Sequence, residues 1–234
     1  MDSAGNLQVA LVLHPGGLYG EPPEIGRITL DRSGALVDSA GSVRTPWDDE
    51  TRPGTTAIGY SKSVRWLPSG NAVAAVGSRS DIAIVRPEGL LTIPSDYPRA
   101  RLREDEAREW EQYNVFLRAR SGRPRSFPPP PEHKPSFRQL VASSSGEIWV
   151  VRSTPSSRRD PTHPTTMAGF PAWPGWLEPF VAEVFSEEGD RVALVEGPDN
   201  LRIGYARGDT IWGFLKDDMG APLVVRMVAR SPDG

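Results

Sequence analysis

Short runs of alternating apolar and polar residues, each entered through a small turn that contains glycine, recur along the chain. Ser3-Ala4-Gly5-Asn6 precedes Leu7 to Val12, Pro68-Ser69-Gly70-Asn71 precedes Ala72 to Val76, Ser144-Ser145-Gly146-Glu147 precedes Ile148 to Val151, and Arg207-Gly208-Asp209 precedes Ile211 to Leu215. Glycine reaches positive φ without steric cost and Asn or Asp tolerates it, so these segments are expected hairpin turns. A second glycine turn follows in three of the units: Asp31-Arg32-Ser33-Gly34, Arg86-Pro87-Glu88-Gly89 and Glu187-Glu188-Gly189. Each unit therefore reads strand, tight turn, strand, looser connection, strand, tight turn, strand. The second unit carries the whole pattern, with strands expected over Ser63 to Leu67, Asn71 to Val76, Asp81 to Val85 and Leu90 to Pro94.

A four-stranded antiparallel meander repeated in phase predicts a β-propeller, because a small twisted sheet buries its two faces only against its neighbours. A β-sandwich also uses short strands and frequent turns, but its strands do not return as matched foursomes, so the propeller is favoured. The blade-like repeats are expected over residues 3–40, 58–95, 136–198 and 201–232 of a single region, 1–234. The first lacks an opening strand and the last a closing strand, which gives a tally of three, four, four and three. The expected architecture is all-β: a partial or open propeller of about four blades. An open ring leaves sheet edges and blade faces bare, so the isolated chain is expected to be oligomeric or prone to aggregate.

Successive first-turn glycines are 65, 76 and 62 residues apart, longer than the roughly 40 to 50 residues of compact blades. The excess falls in insertions at 41–57, 96–136 and 153–179. The middle one contains a predicted helix over 104–120, acidic at its start and basic at its end, which suits the helix dipole. Ala107, Trp110, Asn114 and Leu117 share one face and form a narrow stripe suited to packing on the sheets. Ser121-Gly122 and Pro124 stop the helix, and Pro128 to Pro131 favour an extended polyproline path toward Lys134-Pro135. The helix reads as a surface ornament over a blade junction in preference to a lid or a partner-binding arm.

Composition narrows the function classes. Gly (23) and Pro (24) make up about a fifth of the chain against about 12% on average, which favours turns over long helices. With 27 basic and 30 acidic residues interspersed and a net charge of −3, no basic face for nucleic acid is implied. The chain has no Cys, which excludes disulfides, thiolate metal sites and Cys nucleophiles. No apolar run approaches the roughly 18 residues of a membrane span, and no charged and apolar leader precedes the first strand.

Several stretches between Ser63 and Arg230 carry a family likeness: the Trp66 to Gly70 hairpin, the acidic Glu104 to Trp110 helix start, Lys134-Pro135 with Phe137, the Gly146-Glu147-Ile148-Trp149-Val150 strand, and Ile211-Trp212-Gly213 to Asp217 followed by Val224-Val225-Arg226. Over about two thirds of its length the chain resembles the bacterial six-bladed propellers related to the NHL and TolB-like repeats. The resemblance implies about two further blades and an export signal, hence a periplasmic or extracellular location and an N-terminally truncated member. It also implies an alternative activity, that of calcium-dependent lactonases, whose oxygen ligands gather in the central channel. Asp48, Asn71 and Asn114 are the residues to which that reading points.

Local motifs argue for binding over catalysis. His14, His133 and His163 each stand beside Pro and no two have ligand spacing, so they read as loop surface. Ser61, Ser143 to Ser145 and Ser156-Ser157 lack a nucleophile-elbow pattern. The aromatic and Pro-rich segment Phe170 to Phe180 holds Trp173 and Trp176, which with Trp110 are the surface candidates for binding. Capping of the blade stack is the favoured role for Trp173 and Trp176. Trp149 and Trp212 follow Ile at equivalent places in successive repeats and are expected to pack between blades. The expectation is a non-enzymatic binding or scaffold protein for a protein, peptide or glycan, without cofactor; calcium belongs only to the lactonase alternative.

Overall fold

The computed structural model describes residues 6–14, 24–40, 62–121, 130–158, 176–217 and 221–230. Among them the chain is mostly β, in several antiparallel sheets, with one helix. The first sheet contains β1 (Leu7–His14), β2 (Glu24–Leu30) and β3 (Leu36–Ala40). The second contains β4 (Lys62–Trp66), β5 (Ala72–Val76), β6 (Ile82–Arg86) and β7 (Gly89–Ile93), and is followed by helix α1 (Glu104–Ser121). The third begins with β8 (Phe137–Ala142) and β9 (Ile148–Arg152), is interrupted by a small hairpin of β10 (Ser157–Arg158) and β11 (Trp176–Leu177), and resumes with β12 (Phe180–Phe185) and β13 (Arg191–Gly197). The fourth contains β14 (Arg202–Arg207), β15 (Thr210–Lys216) and β16 (Pro222–Val228). Among the described residues these four sheets hold three, four, four and three strands.

Glycine chemistry sets the turns. In the hairpin after Leu67 the Leu67 N–H donates to the Asn71 carbonyl at 2.8 Å and the Gly70 N–H returns to the Leu67 carbonyl at 3.0 Å. The same pair of bonds closes the turns from Asp31 to Ala35, Ser143 to Glu147 and Ser186 to Asp190. The fourth residue of each is a glycine, Gly34, Gly70, Gly146 or Gly189, with φ between 84° and 102°, a left-handed position that a Cβ would disfavour. Gly89 and Gly208, at the two-residue turns, are the other described glycines at positive φ. All six are glycines that the sequence pattern nominates as turns; Gly5 lies outside the described residues.

The sheets are stacked in chain order. One face of the second sheet (Val73, Ala75, Ile82, Ile84, Ile93) packs on one face of the third (Phe137, Leu140, Ile148, Val150, Phe185). The opposite face of the third (Val141, Trp149, Val151, Ala182, Val184) packs on the fourth (Leu201, Ile203, Ala206, Ile211). The remaining face of the second sheet carries Val64, Ala72, Ala74 and Trp66, and the Arg27 guanidinium of the first sheet lies 5.1 Å from the Trp66 ring centroid. Strands β5 and β9 are therefore buried on both faces along their whole length, whereas β13 at the far edge of the third sheet is largely exposed. The first strands of successive sheets, β4, β8 and β14, are neighbours across the stack. Gln139 of β8 ties the last two together, its side-chain amide donating to the Ile203 carbonyl and accepting the Ile203 N–H at 3.0 Å.

Antiparallel order then decides what lies at each end. In the second and third sheets the turns 67–71, 86–89, 143–147 and 186–190 crowd one end, joined by the 207–210 turn of the fourth. They interlock: Ser69 and Asn71 donate to the Glu187 carboxylate, the latter at 2.5 Å, and the Gly208 N–H donates to Ser145 Oγ at 2.7 Å. Residues 94–136 and 153–179 both leave from the opposite end. We expect Gly34→Ala, where a Cβ meets nothing within 4 Å, to cost about 1–2 kcal/mol from backbone strain alone. Gly189→Ala, whose Cβ would come within 3.2 Å of Ile93, should cost more, an order that urea unfolding of the two variants checks.

Candidate functional site

The end that bears the insertions is built on two buried ion clusters. The stem of the 96–136 insertion is zipped by the Leu102 N–H to the Glu132 carbonyl and the Lys134 N–H to the Ala100 carbonyl, both at 2.9 Å. That pairing delivers Lys134 beneath the start of α1. Its ammonium, 3% exposed, lies 2.9 Å from Glu106 of α1 and 2.7 Å from Glu178. Glu106 also accepts from Ser156 Oγ at 2.6 Å, and Glu178 is 3.3 Å from Arg138 of β8. Two cations and two carboxylates thus balance one another, the condition under which buried charges are tolerated.

The second cluster joins the second and third sheets. Arg152, at the end of β9 and 1% exposed, donates through Nε to Glu183 Oε2 at 2.6 Å and through a terminal nitrogen to the Ser80 carbonyl at 3.0 Å. Ser95 Oγ donates to Glu183 at 2.8 Å, and Arg191 bridges Glu183 and Asp96 at 3.2 and 3.4 Å. The Tyr97 ring lies 5.8 Å from the Arg152 guanidinium, and burial raises the Tyr97 phenol above its ordinary pKa. Burial pulls the Arg152 and Arg138 pKa values down, while neighbouring carboxylates, Glu183 and Glu178, oppose the shift. Both clusters are neutral in sum and engage their charges with one another, so they position the loops above them.

On that base sits α1. Glu109 accepts from Trp176 Nε1 at 2.9 Å and pairs with Arg158 at 3.0 Å, which ties the helix to both strands of the β10–β11 hairpin. Arg103 stacks over the Trp176 ring at 5.5 Å. The docking contacts described are therefore carboxylate-centred, where the sequence pattern points to an apolar stripe. Ala107 and Trp110 are half-buried, and the side chains of Asn114 and Leu117 lie outside the described residues. A shallow cleft of about 460 Å³ opens beside the helix start, lined by Arg101, Leu102, Arg103, Glu104, Asp105 and Arg108.

The sequence candidates are distributed as follows. Trp176 and Trp110 both lie in this helix-and-hairpin assembly, Trp176 as a half-buried partner of Glu109. Trp173, Asp48 and His163 lie outside the described residues, as do the side chains of His14 and Asn114. Asn71 serves the turn end through Glu187, remote from the insertions. Among the described residues no group of three or more His, Asp or Glu side chains is placed to hold a metal ion, and no helix is long and apolar enough to cross a membrane. Ser143, 1% exposed, accepts the Ser145 and Glu147 N–H groups and donates to the Glu147 carboxylate, so it closes a turn. Trp149 is buried at 2% exposure between the third and fourth sheets, whereas Trp212 is half-buried on the outer face of the fourth. Compared with known protein families, with curated proteins and with solved structures, the chain matches none.

Removing Lys134 leaves Glu106 buried without a counter-ion, while Glu178 keeps only Arg138. Lys134→Met is expected to cost about 3–5 kcal/mol and to speed amide exchange in the first turns of α1. Arg101→Ala, which breaks an exposed pair at 3.6 Å, should stay within about 1 kcal/mol of wild type; chemical denaturation with hydrogen exchange separates the two. At the turn end, burial raises the Glu147 pKa, but bonds from Ser143 and Ser145 outweigh it and hold the carboxyl below its ordinary value. Those bonds stabilise the fold above the unfolded carboxyl pKa, and their contribution is lost as pH falls through the folded value. Ser143→Ala should raise the Glu147 pKa, read by NMR titration, and flatten the acid limb of the stability profile.

Proposed function

We propose that this chain is a non-enzymatic binding or scaffold protein, a stretch of β-propeller whose insertion-bearing end holds a protein, peptide or glycan partner. Support for the propeller comes from the chain-order stack, the neighbouring first strands β4, β8 and β14, and burial that declines toward the outer strands. Small sheets that fan about an axis produce that gradient.

The observation that carries the binding reading is the anchoring of α1. Glu106 fixes the helix to Lys134 from below and Glu109 fixes it to Trp176 and Arg158 from the side. A helix start held at these points presents a preorganised surface, and rigid presentation lowers the entropy cost of association. Above the anchors, Arg101, Arg103 and Arg108 share the cleft with Leu102, Glu104 and Asp105, a mixed polar and apolar lining suited to a polar chain such as a peptide or glycan.

A panel of immobilised peptides and glycans, read against the full chain, tests the proposal. We expect at least one to be retained, and retention to fall at least tenfold in Arg101→Glu/Arg108→Glu, whose exposed positions leave the fold intact. Turnover of a panel member without retention, or retention indifferent to those substitutions, would overturn it.

A further inference from the structure

Arg101 and His133 stand opposite each other in an isolated antiparallel bridge at the stem of the 96–136 insertion. The bonds that flank them run from the Leu102 N–H to the Glu132 carbonyl and from the Lys134 N–H to the Ala100 carbonyl, each at 2.9 Å. Two residues placed between such bonds turn their own N–H and C=O groups away from each other, toward the outer edges of the ladder. The Arg101 N–H and C=O therefore point out of the stem, and among the described residues neither has a partner. One alternation further along, the Arg103 N–H is also unpaired, while its carbonyl accepts the Ala107 N–H at 2.8 Å.

This edge is held in place and lies open. Lys134, on the opposite strand of the stem, is fixed between Glu106 and Glu178, whereas the Arg101 side chain is 78% exposed. Arg101, Leu102 and Arg103 line the 460 Å³ cleft from the stem side, and Glu104, Asp105 and Arg108 line it from the helix side. Its charges are unequally engaged. Asp105 is taken up by Arg103 through two bonds at 3.0 Å. Arg101 reaches Glu132 only at 3.6 Å, and Arg108 is exposed with no carboxylate within 4.0 Å. The two loosely engaged guanidiniums thus face Glu104 alone, which leaves the cleft a positive excess.

We infer that the partner taken by this cleft is an extended acidic peptide, which adds as a strand to the stem at Arg101 and sets a carboxylate against Arg101 and Arg108. The inference rests on the reading of the cleft as a binding site given above and selects a peptide over a glycan. A donor and an acceptor presented by one residue on one edge match the N–H and C=O that an extended peptide repeats at every second residue. Sugar hydroxyls donate or accept without that fixed pairing. Main-chain bonds hold such a strand, and the guanidiniums select its side chains.

Immobilised peptides in which Glu alternates with Val or Thr, matched peptides with Gln in place of Glu, and uronic-acid oligosaccharides are the probes, read against the full chain. The acidic peptides should be retained at least tenfold better than either of the others. N-methylation of every second residue should lower retention at least tenfold in one phase and leave it unchanged in the other, because alternate N–H groups face the stem. Exchange of the amide at position 101, measured by NMR, should slow at least tenfold on saturation with the acidic peptide. Arg101→Ala, which keeps the main chain, should bind more weakly but show the same protection. Retention of the oligosaccharides alone would overturn the inference and leave the binding reading standing; retention of no probe would overturn both. Peptides retained without protection at position 101, or with equal sensitivity to both phases of N-methylation, would overturn the strand pairing.

Discussion

Burial of both faces of a small sheet is the constraint from which the rest of this structure follows. A four-stranded meander with strands of about five residues has too little apolar surface for a core of its own. It becomes stable only where each face meets another sheet. The second and third sheets satisfy this, and their second strands show it most clearly, since no residue of Ala72–Val76 or Ile148–Arg152 remains accessible. Each fully buried Val, Leu or Ile there contributes about 1.5–3 kcal/mol. Ala72 and Ala74 lie on the face of the second sheet that also carries Trp66, over which Arg27 of the first sheet lies.

Stacking also divides the molecule into two unlike ends. At the turn end backbone bonds and short polar side chains satisfy one another, as where Ser144 N–H meets the Ala206 carbonyl at 3.1 Å and Tyr205 Oη meets Ser144 Oγ at 2.7 Å. At the other end the chain leaves the sheets for long excursions, and charged groups must fasten them. Buried ion pairs add little net stability compared with apolar packing, but they tolerate few alternative arrangements. Lys134 between Glu106 and Glu178 fixes where α1 starts, and Arg152 on Glu183 and Ser80 fixes how the second and third sheets meet. Geometry at this end is therefore specified by charge complementarity, and at the other by glycine.

That division explains what was legible in the sequence. Glycine turns are local signals: Gly34, Gly70, Gly89, Gly146, Gly189 and Gly208 could be named without knowing any tertiary contact, and the strand boundaries follow within a few residues. The helix was equally readable from its composition, expected over 104–120 and found over Glu104–Ser121. Nothing local announces that Glu106 will meet Lys134, or Arg152 meet Glu183, because those partners are joined only through sheet order. The β10–β11 hairpin was missed for a similar reason: two residues on each side give no alternation to detect. Sequence reasoning therefore looked to an apolar stripe through Trp110, while Glu106 and Glu109 make the described attachments.

The two Ile-Trp strands show where local reading stops. Ile148-Trp149 and Ile211-Trp212 have the same order and the same alternation, each two or three residues after a turn glycine. Trp149 is sealed by the fourth sheet, while Trp212 faces away from the stack, its ring 5.3 Å from Tyr205 and 5.9 Å from the Arg226 guanidinium. Alternation determines which face a side chain takes; it carries no information about what stands opposite. A long cation over an aromatic ring is a partial cover, since the methylene stem shields apolar surface while the charge stays in water. The same device recurs where Arg27 covers Trp66 and Arg103 covers Trp176. Arginine in this chain thus acts as a partial lid for tryptophan, since Trp66, Trp176 and Trp212 each stay half-buried beneath one.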